Sequence, residues 1–443
     1  MTGTMDQQPT PVPETAKPVG SDLDPWWWTE PSVWTGRMLT ALEDGVKGGL
    51  WYSLIDKVYA PGNLGSSLGK VLANKGVAGV DHISVTEYAA HRDANLKHLA
   101  DSLRDGAYVP QQVRRVYIPK PGSKEMRPLG IPTVRDRVVQ GALRHVLEPI
   151  FERDFAAQSY GFRPGRGCPD ALRRVDELLG KGYHYVVDAD LKSYFDTIPH
   201  DRLLGMIRQK VADGRVLALV EGFLKAGILD GLASWEPEAG APQGAVLSPL
   251  LSNIYLDPLD QMMAERGYEM VRYADDFVVL CRSEEEARRA LAEVQAWVAA
   301  AGLTLHPTKT RIVDGEADGF DFLGYHFRYG RHWPRTKSLE KLKATIRQKT
   351  KRTSGRSLGC IIGDVNQTLR GWFGYFKRCV RKVFDRLDKW VRMRLRSVLR
   401  KRKKLRGRGR GKDHVRWPNA FFAKHGLYSL VQAHESWSQS SVR

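Results

Sequence analysis

The sequence predicts an α+β protein in which strands and helices mix up to about residue 330 and helices dominate thereafter. Three observations predict it. First, Met270-Val271-Arg272-Tyr273-Ala274-Asp275-Asp276-Phe277-Val278-Val279-Leu280 places β-prone runs on both sides of an acidic pair, the pattern of strand, tight turn and strand. Second, Tyr185 to Leu191 reads as a strand, and its two-residue period puts Asp188 and Asp190 on one face. Third, residues from about 337 to 400 carry helical periodicity with basic exposed faces.

Taken in order, residues 1–20 are rich in Pro, Thr and Gln and read as a disordered tail. Pro25-Trp26-Trp27-Trp28-Thr29-Glu30-Pro31 leads into a short amphipathic helix expected from about Val33 to Leu42. Three consecutive tryptophans are expected to be buried against the body of the protein, with RNA stacking or a partner contact as the competing reading. Residues 62–155 mix helix and strand with basic motifs. Further on, Ala241-Pro242-Gln243-Gly244 turns into the apolar helix that passes Asn253. The glycine permits close backbone approach to a ligand and Gln243 offers both donors and acceptors, although an ordinary loop-to-helix junction would look the same. Ser283 to Ala301 is a helix whose acidic first turn suits the macrodipole. Leu369 to Phe376 supplies aromatic packing, Lys401 to Lys412 is an Arg/Gly-rich linker, and the aromatic residues after Arg416 form a small terminal module.

Adjacent carboxylates at a hairpin tip repel unless a divalent cation neutralises them. Hard oxygen ligands of this kind suit Mg²⁺, which binds through one or two carboxylates plus substrate phosphates. A third carboxylate would complete a two-metal site for in-line phosphoryl transfer. Asp188 and Asp190 are the candidates, and periodicity does not choose between them. The competing reading is a solvated acidic turn with a strand-end surface charge.

Composition bounds the rest. Four scattered cysteines (Cys168, Cys281, Cys360 and Cys379) form no C-x-x-C pair, which argues against a zinc site and a disulfide framework and fits a reducing cytoplasm. No apolar run reaches the length of a membrane span and no signal-peptide pattern opens the chain, so no membrane partner is expected. Net charge is +19, and Arg328 to Arg416 holds 31 Lys and Arg against 5 Asp and Glu. That segment alone carries +26, and a basic face of this size is the footprint of a polyanion. Compaction of nucleic acid or binding to a membrane surface would share the charge but would not need the acidic hairpin.

A series of motifs in fixed order carries a resemblance. Asn74-Lys75-Gly76-Val77-Ala78-Gly79-Val80-Asp81 is followed by Tyr117-Ile118-Pro119-Lys120-Pro121-Gly122 and Arg127-Pro128-Leu129-Gly130-Ile131-Pro132. Then come Ser159-Tyr160-Gly161-Phe162-Arg163-Pro164-Gly165-Arg166, the Asp190 segment, the Pro-Gln-Gly segment and Tyr273-Ala274-Asp275-Asp276. His306-Pro307-Thr308-Lys309-Thr310 and Phe322-Leu323-Gly324-Tyr325 complete the series. Over roughly residues 50 to 430 the chain resembles the reverse transcriptases encoded within bacterial group II introns, also called intron maturases.

The resemblance implies a right-hand polymerase with an antiparallel palm sheet, followed by a helical thumb or maturase domain and a small basic C-terminal module that contacts DNA. Residues 1–61 would be an N-terminal extension, 62–330 fingers and palm, 331–400 the thumb, and 401–443 linker and terminal module. It resolves Asp188 against Asp190 in favour of Asp190, which opens the Asp-aliphatic-Lys-x-x-aromatic-Asp run. Asp190, Asp275 and Asp276 would then be catalytic and hold two Mg²⁺ ions, one at the primer 3′-hydroxyl and one at the triphosphate of the dNTP. Lys120 and Arg127 would reach that triphosphate. Phe195 would exclude a ribose 2′-hydroxyl, Gln243 would meet the sugar and base, and Lys309 would stand behind the site. Arg163 and Arg166 are expected on template phosphates, and Phe322 to Tyr325 at the primer end.

The implied function is RNA-directed DNA polymerase and maturase, binding group II intron RNA and copying it into DNA from a target-site primer, in a bacterial cytoplasm and on the nucleoid when DNA-bound. Oligomeric state stays open. The H-N-H endonuclease of the longest family members has no counterpart array of Cys and His after residue 416, so target cleavage is not expected. The alternatives are a host-adopted reverse transcriptase, in phage defence or spacer acquisition, and an RNA-binding splicing factor with an idle polymerase site.

Overall fold

The computed structural model describes residues 25–46, 48–119, 126–231, 233–405, 407 and 411–440. The chain forms two compact units that divide between Ile312 and Val313.

The first unit opens with helices α1 (Gly36–Asp44), α2 (Ile55–Val58), α3 (Pro61–Asn74), α4 (Val85–Ala90) and α5 (Arg92–Arg104). Strands β1 (Val113–Pro119) and β2 (Met126–Ile131) follow, then α6 (Val134–Glu152) and α7 (Cys168–Gly180). Next are β3 (Tyr185–Asp190), α8 (Tyr194–Thr197), α9 (His200–Arg208), α10 (Gly214–Lys225), β4 (Ile228–Asp230) and β5 (Ala233–Trp235). The unit closes with α11 (Ser248–Glu265), β6 (Glu269–Tyr273), β7 (Asp276–Cys281), α12 (Glu284–Ala300) and the start of β8 (Arg311–Asp314).

Helix α6 runs through the core. Val134, Val138, Val139, Ala142, Leu143, Val146 and Leu147 are fully buried, and Thr133 caps the helix by accepting from the Asp136 N–H at 3.2 Å. Its approach to α3 is set by small residues: a Cβ at Gly141 would lie 2.2 Å from Ser67 Oγ. Ser67 Oγ instead donates to the Val138 carbonyl at 2.7 Å, and Asn63 donates to the Ala142 carbonyl at 3.0 Å. Two sheets flank this helical core. One has the order β2-β1-β4-β5, with β1 antiparallel to β2 and parallel to β4. The other has the order β6-β7-β3-β8, with α12 packed on β3 and β7. Glu284, Glu285 and Glu286 fill the first turn of α12, as the sequence predicts, and Ser283 caps it.

The tryptophan run divides rather than burying as a block. Trp26 and Trp28 are half-buried, with Trp26 Nε1 donating to Glu43 at 2.8 Å, while Trp27 is 61% exposed. These residues form a turn, so consecutive rings point to different sides. Trp34 is the anchor: it is buried and its Nε1 donates to the His145 carbonyl at 2.8 Å. The expected helix over Val33–Leu42 begins later, at Gly36, because Val33 and Trp34 are spent on the preceding turn.

The second unit contains β9 (Phe320–Phe322), β10 (Tyr325–Arg328) and β11 (Arg331–Pro334), then α13 (Thr336–Lys349), α14 (Leu358–Phe376) and α15 (Arg381–Arg402). Short helices α16 (Lys412–Arg416), α17 (Asn419–Lys424) and α18 (Leu430–Ser440) end it. Leu323 and Gly324, both at positive φ, close a two-residue hairpin between β9 and β10. This meander belongs with the helices: the Tyr325 ring lies 5.0 Å from Phe376 and 5.7 Å from Tyr375. The end of the chain folds back on α15. Arg396, 2% exposed, donates to the Trp417 carbonyl at 2.9 Å, and Asp388 caps α18 by accepting from the Leu430 N–H at 3.1 Å. Part of the Lys401–Lys412 linker, and all of residues 1–20, lie outside the described residues.

Candidate active site

The site is built where β3 and the β6–β7 hairpin end together. Asp190 pairs directly with Asp276 across the antiparallel ladder, and Tyr273 pairs with Asp276 to close the hairpin over Ala274 and Asp275. Directly opposed residues hold their Cβ atoms about 5 Å apart, so Asp190 and Asp276 project from one face of the ladder with Asp275 one residue away. Asp188 stands two residues back on the same strand, opposite Val278, with Arg311 Nε 3.5 Å from its carboxylate. The register thus brings Asp190, and not Asp188, to the hairpin tip.

The electrostatics strain this arrangement. Burial raises the Asp275 carboxyl above its ordinary value, the Asp190 charge raises it further, and Arg127 and Arg272 act in the other direction. The Lys309 ammonium pairs with the Asp190 carboxylate. As arranged, no three of His, Cys, Asp and Glu among the described residues stand close enough to hold an ion. The donor set still fits a hard divalent cation: it is all carboxylate oxygen, one member is buried against its own charge, and Asp190 already holds a cation in Lys309.

The hairpin tip is pinned from behind by residues that the sequence did not single out. Arg272 is 1% exposed and Asp260 is fully buried. Arg272 Nε donates to the two Asp260 oxygens at 2.8 and 3.0 Å, and Nη1 donates to the Ala274 carbonyl at 2.9 Å and to Asn253 Oδ1 at 3.0 Å. Asn253 in turn donates to the Gly161 carbonyl at 2.9 Å. A Cβ at Gly161 would lie 2.2 Å from the Ala274 nitrogen, so only glycine lets this loop press against the turn. Ala274 itself sits at φ +60°, the first position of a two-residue hairpin, where glycine is usual. The available signal was an arginine in the middle of an apolar strand.

On the other side a cavity of about 460 Å³ is lined by Arg115, Phe195, Asp196, Trp235 and Gln243, among others. Arg127 Nε donates to Gln243 Oε1 at 2.8 Å, and Gln243 Nε2 lies 3.4 Å from Asp196 Oδ2. The Pro-Gln-Gly segment is fused to β2, since the Gly130 N–H donates to the Gln243 carbonyl at 2.7 Å. Phe195, 8% exposed, packs edge-to-face on Tyr194 at 5.4 Å and lines the cavity. Its carbonyl accepts from the Ala241 N–H at 2.6 Å. Lys120 lies outside the described residues.

Arg163 and Arg166 do not face outward. Arg163 is 6% exposed, bonds Glu152 at 2.8 Å and donates to the Ser159 carbonyl at 3.0 Å, while Arg166 donates to the Ala157 carbonyl at 2.6 Å. The Arg163 donors are all spent inside the protein, which removes it from template contact, while half-buried Arg166 spends Nη1 on the loop before it.

Residues 118–327 match the reverse transcriptase (RNA-dependent DNA polymerase) family, and residues 339–417 match the group II intron, maturase-specific domain. Protein YkfC of Escherichia coli (strain K12) is 35% identical over 340 residues, covering 66% of this chain and 87% of that protein. Group II intron-encoded protein LtrA of Lactococcus lactis subsp. cremoris is 45% identical over 173 residues, 39% of this chain and 29% of LtrA. A 91 kDa protein in the cob intron of Schizosaccharomyces pombe is 32% identical over 278 residues, 49% of this chain and 34% of that protein. The chain thus spans most of YkfC but about a third of the two intron proteins.

Fold and matches together define a reverse transcriptase of α+β architecture with a helical maturase region, an RNA-directed DNA polymerase by class. The chain belongs to the group II intron-encoded reverse transcriptase and maturase family. That family works with divalent metal ions and deoxynucleotides, and its maturase domain implies intron RNA as a ligand. No helix among the described residues is long and apolar enough to cross a membrane.

Proposed function

We propose that this chain copies RNA into DNA at Asp190, Asp275 and Asp276. The observation that carries the reading is the register that sets Asp190 against Asp276 beside the Asp275 turn. Two Mg²⁺ ions bound there would lower the pKa of the primer hydroxyl and spread the charge of the departing pyrophosphate. The protein's own contribution is positioning. Arg127 leaves Gln243 to grip the triphosphate, Lys120 adds a second cation, and Gln243 turns to the sugar and base. Phe195 narrows the cavity where a 2′-hydroxyl would lie. Lys309 neutralises Asp190 until metal arrives and then stands ready to give a proton to pyrophosphate.

In this reading residues 62–330 serve as fingers and palm, 331–400 as thumb, and 401–443 as a basic module against target DNA, with residues 1–61 as an extension. The basic helices of the second unit support a role in holding intron RNA and the primer–template duplex. The whole would assist splicing and copy the intron from a primer at its DNA target, in a bacterial cytoplasm and on the nucleoid.

Primer extension on an RNA template with deoxynucleotides and Mg²⁺ tests the proposal. Extension by the wild type that is abolished in Asp275→Ala supports it. Splicing stimulated by a protein that never extends a primer would replace it with a splicing factor.

A further inference from the structure

Phe162 is displayed where a fold would ordinarily hide a ring. It is 43% exposed although Gly161 and Arg163 on either side are buried. Its φ is +61°, a region that a bulky residue enters only under strain. Such strain gathers at functional sites when the surroundings impose it. Here they do: Gly161 is pressed against the Ala274 turn and Arg163 is tied to Glu152, so the residue between them is forced outward. The Phe162 ring ends 6.3 Å from that of Tyr273, the last residue of β6 and the start of the catalytic turn.

Phe162 also lines a groove of about 450 Å³, room for a single nucleotide. Lys70 and Arg137 line the same groove. Arg144 and Arg163 are neutralised by Glu148 and Glu152. Lys70 instead rests 2.7 Å from His145 Nε2, and Arg137 rests on the Pro132 and Val77 carbonyls. Burial, helped by Lys70, pushes His145 down to about 4, so at neutral pH that partner is uncharged. The groove therefore joins an exposed aromatic residue to two cations that enter no ion pair among the described residues, with Asp81 acting on Arg137 only through its charge, a combination that suits a base and its phosphate.

We propose that this groove takes one unpaired nucleotide of the RNA template, with its base stacked on Phe162 and its phosphate near Lys70 and Arg137. The proposal rests on the polymerase reading and adds to it a residue that holds the template beside the catalytic turn.

The test is a binding cycle on the full-length protein. A primer–template duplex with a five-nucleotide RNA overhang is titrated by fluorescence anisotropy, and an abasic residue is moved through the overhang one position at a time. With wild type, one abasic position should weaken binding by about tenfold, the scale of a lost base–aromatic stack. Phe162→Ala should weaken the intact duplex to the same extent and erase the penalty at that position, and Phe162→Tyr should restore both. Phe162→Gly relieves the positive φ, so it should bind as poorly as Phe162→Ala while melting no lower than wild type. An abasic profile identical in wild type and Phe162→Ala would overturn the proposal. So would a fall of several degrees in the melting temperature of Phe162→Gly, which would mark the ring as packing. Primer extension by the wild type is measured alongside: its absence would defeat the polymerase reading, while the binding cycle would still decide the groove.

Discussion

At the scale of single residues, the site sets buried charge against function. Asp275 is raised chiefly by burial, so its ionised form is disfavoured in the folded state relative to the unfolded chain. A raised carboxyl means the folded protein loses stability as pH climbs through the elevated value, and ionised Asp275 is a net cost at neutral pH. Asp275→Asn should therefore melt higher than wild type in the presence of a chelator while losing at least about a hundredfold in extension rate. Mg²⁺ should raise the melting temperature of wild type more than that of the variant. Calorimetry with and without Mg²⁺ checks both, and equal metal effects in the two proteins would remove Asp275 from the ligand set. Behind it, Arg272 and Asp260 form a buried ion pair whose loss on one side leaves a stranded charge. Arg272→Met should cost about 3–5 kcal/mol in denaturant unfolding. Asp260→Asn in the Met background should recover part of that stability without recovering activity, because the Ala274 carbonyl still lacks its donor.

At the scale of elements, the hairpin, the Asp190 strand and helix α12 were legible because an acidic turn, alternation and an acidic first helical turn each leave a local mark. The choice of Asp190 over Asp188 was not local: both share a face, and only the register with β7 and the resemblance separate them. Arginines in a Gly- and Pro-rich loop were read outward, whereas backbone carbonyls of that same loop turned them in. Strands β4 and β5 went unseen, since three residues carry no periodicity, and they extend the sheet to Trp235 over which Arg115 stacks at 4.9 Å. The contact of α3 with α6 makes a prediction of its own. His145 on α6 bonds Asn63 on α3 at 2.8 Å, and burial holds its imidazole down at about 4 from 6.5. A depressed folded value means the stability tied to this contact is full above pH 6.5 and is lost as pH falls towards 4. Thermal melts across that window should decline less steeply for His145→Gln than for wild type, and parallel declines would contradict the assignment.

At the scale of the whole molecule, charge is divided as sharply as structure. The segment Arg328 to Arg416 carries +26 while the remainder carries −7. Composition made this legible, together with a polyanion partner; it left unread how the chain's end folds back on α15 through Arg396 and Asp388. Binding through so many cations releases counterions, so affinity for structured RNA should fall by about a thousandfold or more between 50 and 200 mM salt. Filter binding over that range measures it, and a shallow dependence would mean that the basic helices are not the RNA-binding face.

The proposed catalysis turns on the β3–β7 register, which sets Asp190 rather than Asp188 against the hairpin. Primer extension on RNA with Mg²⁺, comparing wild type, Asp190→Asn and Asp188→Asn at matched folding, tests it most directly. Asp190→Asn should abolish extension and Asp188→Asn should keep it within a few-fold of wild type. Loss confined to Asp188→Asn, or extension surviving in Asp190→Asn, would contradict it.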